Sequence, residues 1–89
     1  MNERLKHLGR LEESKLRAEE LRLRMRGLIE SLREHIDPFE RYEELDTELI
    51  ASQAMELGAA KIAYAGVLDE IKAIEKALGL PVPTRQTGR

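Results

Sequence analysis

Apolar residues recur at Leu5, Leu8, Leu11, Ala18, Leu21, Met25, Leu28, Leu32 and Ile36, in steps of three and four with one gap across Ser14. This spacing lays a stripe along one face of an α-helix. From Ala18 onward the stripe becomes a heptad, with Ala18, Met25 and Leu32 on one seam position and Leu21 and Leu28 on the other. Asn2 is a good N-cap, and Glu3 puts a negative charge in the first turn, where the helix dipole favours it. The pattern predicts a first helix over about residues 3–36, roughly 51 Å long at 1.5 Å per residue. The pairs Glu13–Arg17 and Glu20–Arg24 support it from the exposed faces. Gly9 and Gly27 cost about 1 kcal/mol each relative to alanine, but the periodicity continues past both.

Asp37-Pro38 ends that helix, because proline disfavours helical geometry at Asp37 and lacks the amide donor. A turn is expected at 37–38. Asp37 is also a possible N-cap for a new helix, with Pro38 first and Glu40 closing a capping box. A second start signal follows at Asp46-Thr47. Two courses stay open: one helix from Pro38 to Leu78, or a short helix over 38–45 and a main helix over about 47–78. The second gives two main helices of similar length and suits a hairpin better. In the main helix, Ile50, Leu57, Tyr64, Ile71 and Leu78 repeat every seven residues. Ala60, Val67 and Ile74 fill the other seam position, with Gln53 as its polar member. Gly79 then stands where a left-handed C-terminal stop belongs, and Pro81 follows. Residues 80–89 have no periodicity and read as a flexible tail, leaving 1–79 as an all-α, antiparallel, coiled-coil-like hairpin.

One hairpin does not account for all the apolar residues. Ala51, Met55, Gly58, Ile62 and Ala65 recur at steps of four and three and form a second stripe on helix 2. Between Leu49 and Leu68 the charged residues are Glu56 and Lys61 alone. A helix that apolar is expected to be covered on more than one side. A membrane span is a poor explanation, since Ser52, Gln53, Glu56 and Lys61 interrupt a stretch dominated by alanine and glycine. Burial against a second copy fits better, because small residues permit close helix approach and two hairpins complete a four-helix bundle. The expectation is therefore a homodimer or higher even oligomer, self-associating through Ala51, Met55, Gly58, Ile62 and Ala65.

Composition sharpens this picture in two respects. Charged residues make up 36% of the 89 residues and aromatics only 3%, the balance of long helices and coiled coils. The net charge of −2 hides an asymmetry: residues 1–36 carry nine Lys/Arg and seven Asp/Glu, residues 37–79 four and ten. A basic helix beside an acidic one is the plain reading, and a basic helix that meets nucleic acid is the sharper one. The chain has no cysteine, which excludes disulfides and thiolate zinc sites and fits a reducing, cytoplasmic setting. Its first residues lack the apolar core of a secretory leader, so no processing is expected.

Candidate chemistry is sparse. His7 and His35 lie near opposite ends of helix 1, and Glu3 with His7 makes only two ligands of a metal site. Both histidines are expected to play surface roles. The carboxylates Glu40, Glu43, Glu44, Asp46 and Glu48 cluster without calcium-loop spacing, at a helix start where acids are common. Arg17, Arg22, Arg24 and Arg26 are the candidate nucleic-acid contacts, but Glu19, Glu20 and Glu30 interleave with them. Phe39, Tyr42 and Tyr64 lack the spacing of a base-stacking platform. No phosphate loop and no nucleophile–base pair can be identified, so neither catalysis nor a cofactor is expected.

In helix count and heptads the chain resembles the small dimeric helical hairpins of the plasmid Rop type, bundles that bind RNA hairpins. No residue motif carries that likeness, and no functional residue transfers with it. Leu45-Asp46-Thr47-Glu48-Leu49-Ile50 resembles the helical chorismate mutases in texture. Those enzymes need several cations converging on a dicarboxylate, and between Pro38 and the tail this chain offers only Arg41, Lys61, Lys72 and Lys76. The expected function is that of a non-enzymatic structural or adaptor protein, presenting a charged helical rod to another macromolecule. The alternative is a nucleic-acid-binding bundle using the basic face of helix 1.

Overall fold

The computed structural model describes residues 2–80. Two long helices account for most of it: α1, Glu3–His35, and α2, Thr47–Leu78, joined by a connection holding one 3₁₀ turn, Tyr42–Glu44. No strand occurs among the described residues. The helices pack against each other in a hairpin measuring 61 × 35 × 14 Å. The expected all-α hairpin is therefore the observed architecture, and the expected tail, from residue 81 on, lies outside the described residues.

Each boundary has a local cause. The Asn2 side chain accepts a hydrogen bond from the Arg4 amide at 2.8 Å and starts α1. Asp37 accepts from the Phe39 amide at 3.0 Å, which holds a turn at Pro38 and begins no new helix. The short helix expected over 38–45 shrinks to the single turn Tyr42–Glu44. Of the two courses open for helix 2, the one starting near Thr47 is found, with Asp46 as its N-cap accepting from the Leu49 amide at 3.0 Å. At the far end Gly79 takes φ 74°, a left-handed conformation that glycine adopts without a Cβ penalty. The amides of Gly79 and Leu80 then bond the Lys76 and Glu75 carbonyls at 3.0 and 2.9 Å, and satisfy the end of α2. Arg4 adds a guanidinium bond to the Leu78 carbonyl at 3.2 Å, a cation at the negative end of the helix dipole.

The core is one seam in two clusters. Ala18, Leu21, Ala60 and Val67 form the first, lined by Met25, Ala63, Tyr64 and Ile71. Leu11, Ile74 and Leu78 form the second, with Ile71 and Leu80 against it. Leu80, the first residue of the expected tail, is thus part of the packing. Ser14 is buried as well, so the gap in the apolar stripe is a seam position filled by a small polar residue. The heptad extends back through it to His7, which is half-buried. Leu5 and Leu8 stand off this line and are exposed. Ile36, the C-cap residue of α1, is exposed too.

Candidate interaction faces

The residues expected to mediate self-association lie together on the outer side of α2. Ala51, Met55, Gly58, Ile62 and Ala65 are all exposed, Met55 and Ile62 to 76% each. At about 100° per residue, Ile62 is rotated by roughly 140–160° from Ala60 and Val67, its buried seam neighbours. The stripe thus points away from α1. The nearest helical neighbours of Ile62, three and four residues away, are Gly58, Ala59, Ala65 and Gly66. Those of Met55 are Ala51, Ser52, Gly58 and Ala59. None is charged, and none is larger than serine. A Cβ built on Gly58 or on Gly66 meets nothing within 4 Å. Two apolar side chains therefore stand proud of a smooth, uncharged floor.

The arginines singled out from the sequence do not share one face. Arg24 reaches across to Glu56 of α2 at 3.6 Å, and farther along the same pair of helices Arg10 lies 4.0 Å from Glu70. Arg22 pairs with Glu19 and Arg26 with Glu30 (3.4 Å), both within α1. Arg17 makes no ion pair among the described residues. A shallow groove open to solvent runs along α1 between Arg22, Arg26 and Arg33, floored by Met25 and Ile29 and edged by Glu19 and Glu30. A basic α1 against an acidic α2 accounts for two of these contacts, and carboxylates of α1 itself account for the others.

The histidines and the seam polar residues form structure. His35 donates from Nδ1 to the Ser31 carbonyl at 2.8 Å, and the Ser31 hydroxyl donates to Gln53 Oε1 at 2.9 Å. This is a polar link between the helices near the connection. His35 and His7 are both half-buried, not the surface residues expected; the His7 Nδ1 is buried and has no hydrogen-bond partner among the described residues. No group of three metal-ligand side chains occurs among the described residues. No helix among them is long and apolar enough to cross a membrane.

The connection between the helices makes a third exposed region. Phe39 is 92% exposed and Tyr42 77%. The stretch from Asp37 to Glu48 that holds them carries six carboxylates against the single Arg41. Arg41 bonds Glu43 at 2.8 Å and lies 3.6 Å from Glu44. Hydrogen bonding from its own backbone amide, and then from Arg41, holds the Glu43 carboxyl below the usual carboxylate range.

No family model, curated protein or solved structure matches this chain. The likeness to Rop-type hairpins thus rests on helix count and heptads alone.

Proposed function

We propose that this protein is a non-enzymatic assembly protein, which pairs with a second copy through the outer face of α2 and offers the resulting rod to a partner macromolecule in the cytoplasm. The observation that carries the reading is the exposure of Met55 and Ile62 on a helix face whose centre is uncharged, with Lys61 at its edge. Single exposed apolar side chains are ordinary, but a contiguous apolar strip marks an interaction surface. Its shape favours a helix as the occupant, because alanine and glycine let a second helix approach closely. The two hairpins then make a four-helix assembly with both α2 helices at its centre. Nucleic-acid binding through Arg17, Arg22, Arg24 and Arg26 gains no support from a shared basic face, since three of the four are paired with carboxylates.

Sedimentation equilibrium at micromolar concentration tests this. The expected species has twice the 10.2 kDa chain mass. A folded, helical monomer across the whole range would sink the proposal.

A further inference from the structure

We infer that the second copy docks antiparallel, with a two-fold axis beside Gly58 and Ala59, so that the two acidic connections lie at opposite ends of one rod. This rests on the self-association reading above and adds its geometry. The outer face of α2 carries two rows, each with the seven-residue spacing of a helix contact. One row is small: Ala51, Gly58, Ala65. The other is large: Met55, Ile62. The small row is symmetric about Gly58 and the large row about the midpoint of Gly58 and Ala59. A face with that internal symmetry matches itself when reversed, which is what a two-fold axis perpendicular to the helices requires.

Packing separates the two orientations. In the antiparallel pair, Met55 of one copy drops between Gly58 and Ala65 of the second copy, and Ile62 drops between Ala51 and Gly58 of that copy. Each large side chain fills a gap left by small ones. In the parallel pair every residue meets its own equivalent. Met55 then opposes Met55 while Gly58 opposes Gly58, holding the helices apart at one level and leaving a void at the next.

Charge separates them in the same direction. The connection carries six carboxylates against Arg41 between residues 37 and 48. Parallel docking brings two such clusters side by side. Antiparallel docking sets each beside the opposite end of the other hairpin, where the five Lys/Arg of residues 3–13 and 69–80 are balanced by six Asp/Glu, so the acids meet a nearly neutral surface in place of a second acidic cluster. The α2 dipoles also oppose each other only in the antiparallel pair. The consequence for an adaptor is bivalence: Phe39 and Tyr42 are displayed twice, once at each end.

The absence of cysteine makes disulfide trapping clean. Ala51→Cys and Ala65→Cys are prepared separately, oxidised alone and as an equal mixture, and read on non-reducing gels. Antiparallel docking gives a covalent dimer in the mixture and little in either variant alone. The two equivalent positions then lie about 21 Å apart, at 1.5 Å per residue, far beyond disulfide reach. Covalent dimers from each variant alone, with none gained on mixing, mean parallel docking and overturn the inference. Sedimentation of the reduced variants is run alongside. A reduced dimer that yields no disulfide in any arm overturns the docking face and geometry but leaves self-association standing. A reduced monomer, seen also for the unsubstituted chain, overturns both.

Discussion

The outer faces of α1 and α2 expose apolar side chains to a similar degree, 63% for Leu16 and 76% for Ile62, yet they differ in kind. Leu16 is surrounded at three and four residues by Glu12, Glu13, Glu19 and Glu20. Ile62 is surrounded by Gly58, Ala59, Ala65 and Gly66. A partner covering Leu16 must strip water from four carboxylates, each costly to bury unpaired. A partner covering Ile62 strips water from almost nothing that wants it. Exposure therefore does not distinguish an interaction site from a solvated helix face; the neighbours on the same face do.

The largest expected effect tests that contrast directly. Met55→Glu with Ile62→Glu places two charges on the smooth floor of α2 and should abolish association at micromolar concentration. Leu16→Glu with Leu23→Glu adds charge to a face that already carries it and should leave the sedimenting mass unchanged. Both pairs should stay helical, because all four side chains point away from the seam. Loss of association in the α1 pair as well would end the distinction drawn between the faces.

Glycine substitution gives a smaller effect with a concentration signature. At neither Gly27 nor Gly58 would an added Cβ come within 4 Å of any atom beyond the local helix backbone in the single chain. At dilution Gly27→Leu and Gly58→Leu should both stabilise, by a few tenths to about 1 kcal/mol of helix propensity. At concentrations that support the dimer, the paths diverge. A leucine at Gly58 overfills the gap that receives Met55 and Ile62, and overpacking costs about 1–3 kcal/mol. Thermal melts at two concentrations, a hundredfold apart, would resolve this. Parallel behaviour of the two variants at both concentrations counts against close helix approach at Gly58.

Much of this architecture was legible in the sequence, and the misreadings have a common physical origin. Heptads, the Asp37-Pro38 break, the Asp46 N-cap and the Gly79 stop are local signals, and local signals located both helices. What the apolar alphabet misread was the identity of seam positions. Ser14 belongs to the seam because Cβ plus a hydroxyl fits between two close helices, and a stripe drawn from leucines alone steps over it. His7 and His35 belong there because an imidazole has an apolar body, and for His35 a backbone carbonyl within reach. Leu5 and Leu8 have the right character and the wrong phase. The apolar residues of α2's outer face were visible as a group, and helical spacing already set them off the heptad seam; their exposure required the packed hairpin. Helical spacing alone sets Arg24 off the face that Arg22 and Arg26 share, but the pairing expected for it with Glu20 gives way to Glu56 across the hairpin, which only the packed helices reveal.

A still smaller effect is expected where the two helices are joined by polar groups. Gln53 accepts the Ser31 hydroxyl across the seam. Gln53→Ala removes that bond near the connection, where water can replace it, so a loss of about 1 kcal/mol is expected. Chemical denaturation would measure it. A loss several times larger would mean that the polar link, and not the apolar seam, fixes the register of the hairpin.

The smallest effect is expected from nucleic acid, and it bears on the other side of the comparison, the charged face of α1. A site that neutralises several phosphates binds less tightly as salt rises, with a slope set by the number of contacts. Here Arg22 and Arg26 are each matched to a glutamate on their own helix, and Arg24 to Glu56. A phosphate approaching any of them must displace a carboxylate or share the guanidinium with it. The ten acidic residues of 37–79 add repulsion from the rest of the hairpin. Binding to duplex DNA or structured RNA at physiological salt should therefore be weaker than about 10 µM, well short of a dedicated site. Fluorescence anisotropy with mixed-sequence probes measures it. Submicromolar binding that vanishes in the triple variant Arg22→Ala, Arg24→Ala, Arg26→Ala would show that the carboxylates release their arginines to phosphate. The charged face of α1 would then be the working surface, and the smooth face of α2 would serve only to hold two such surfaces together.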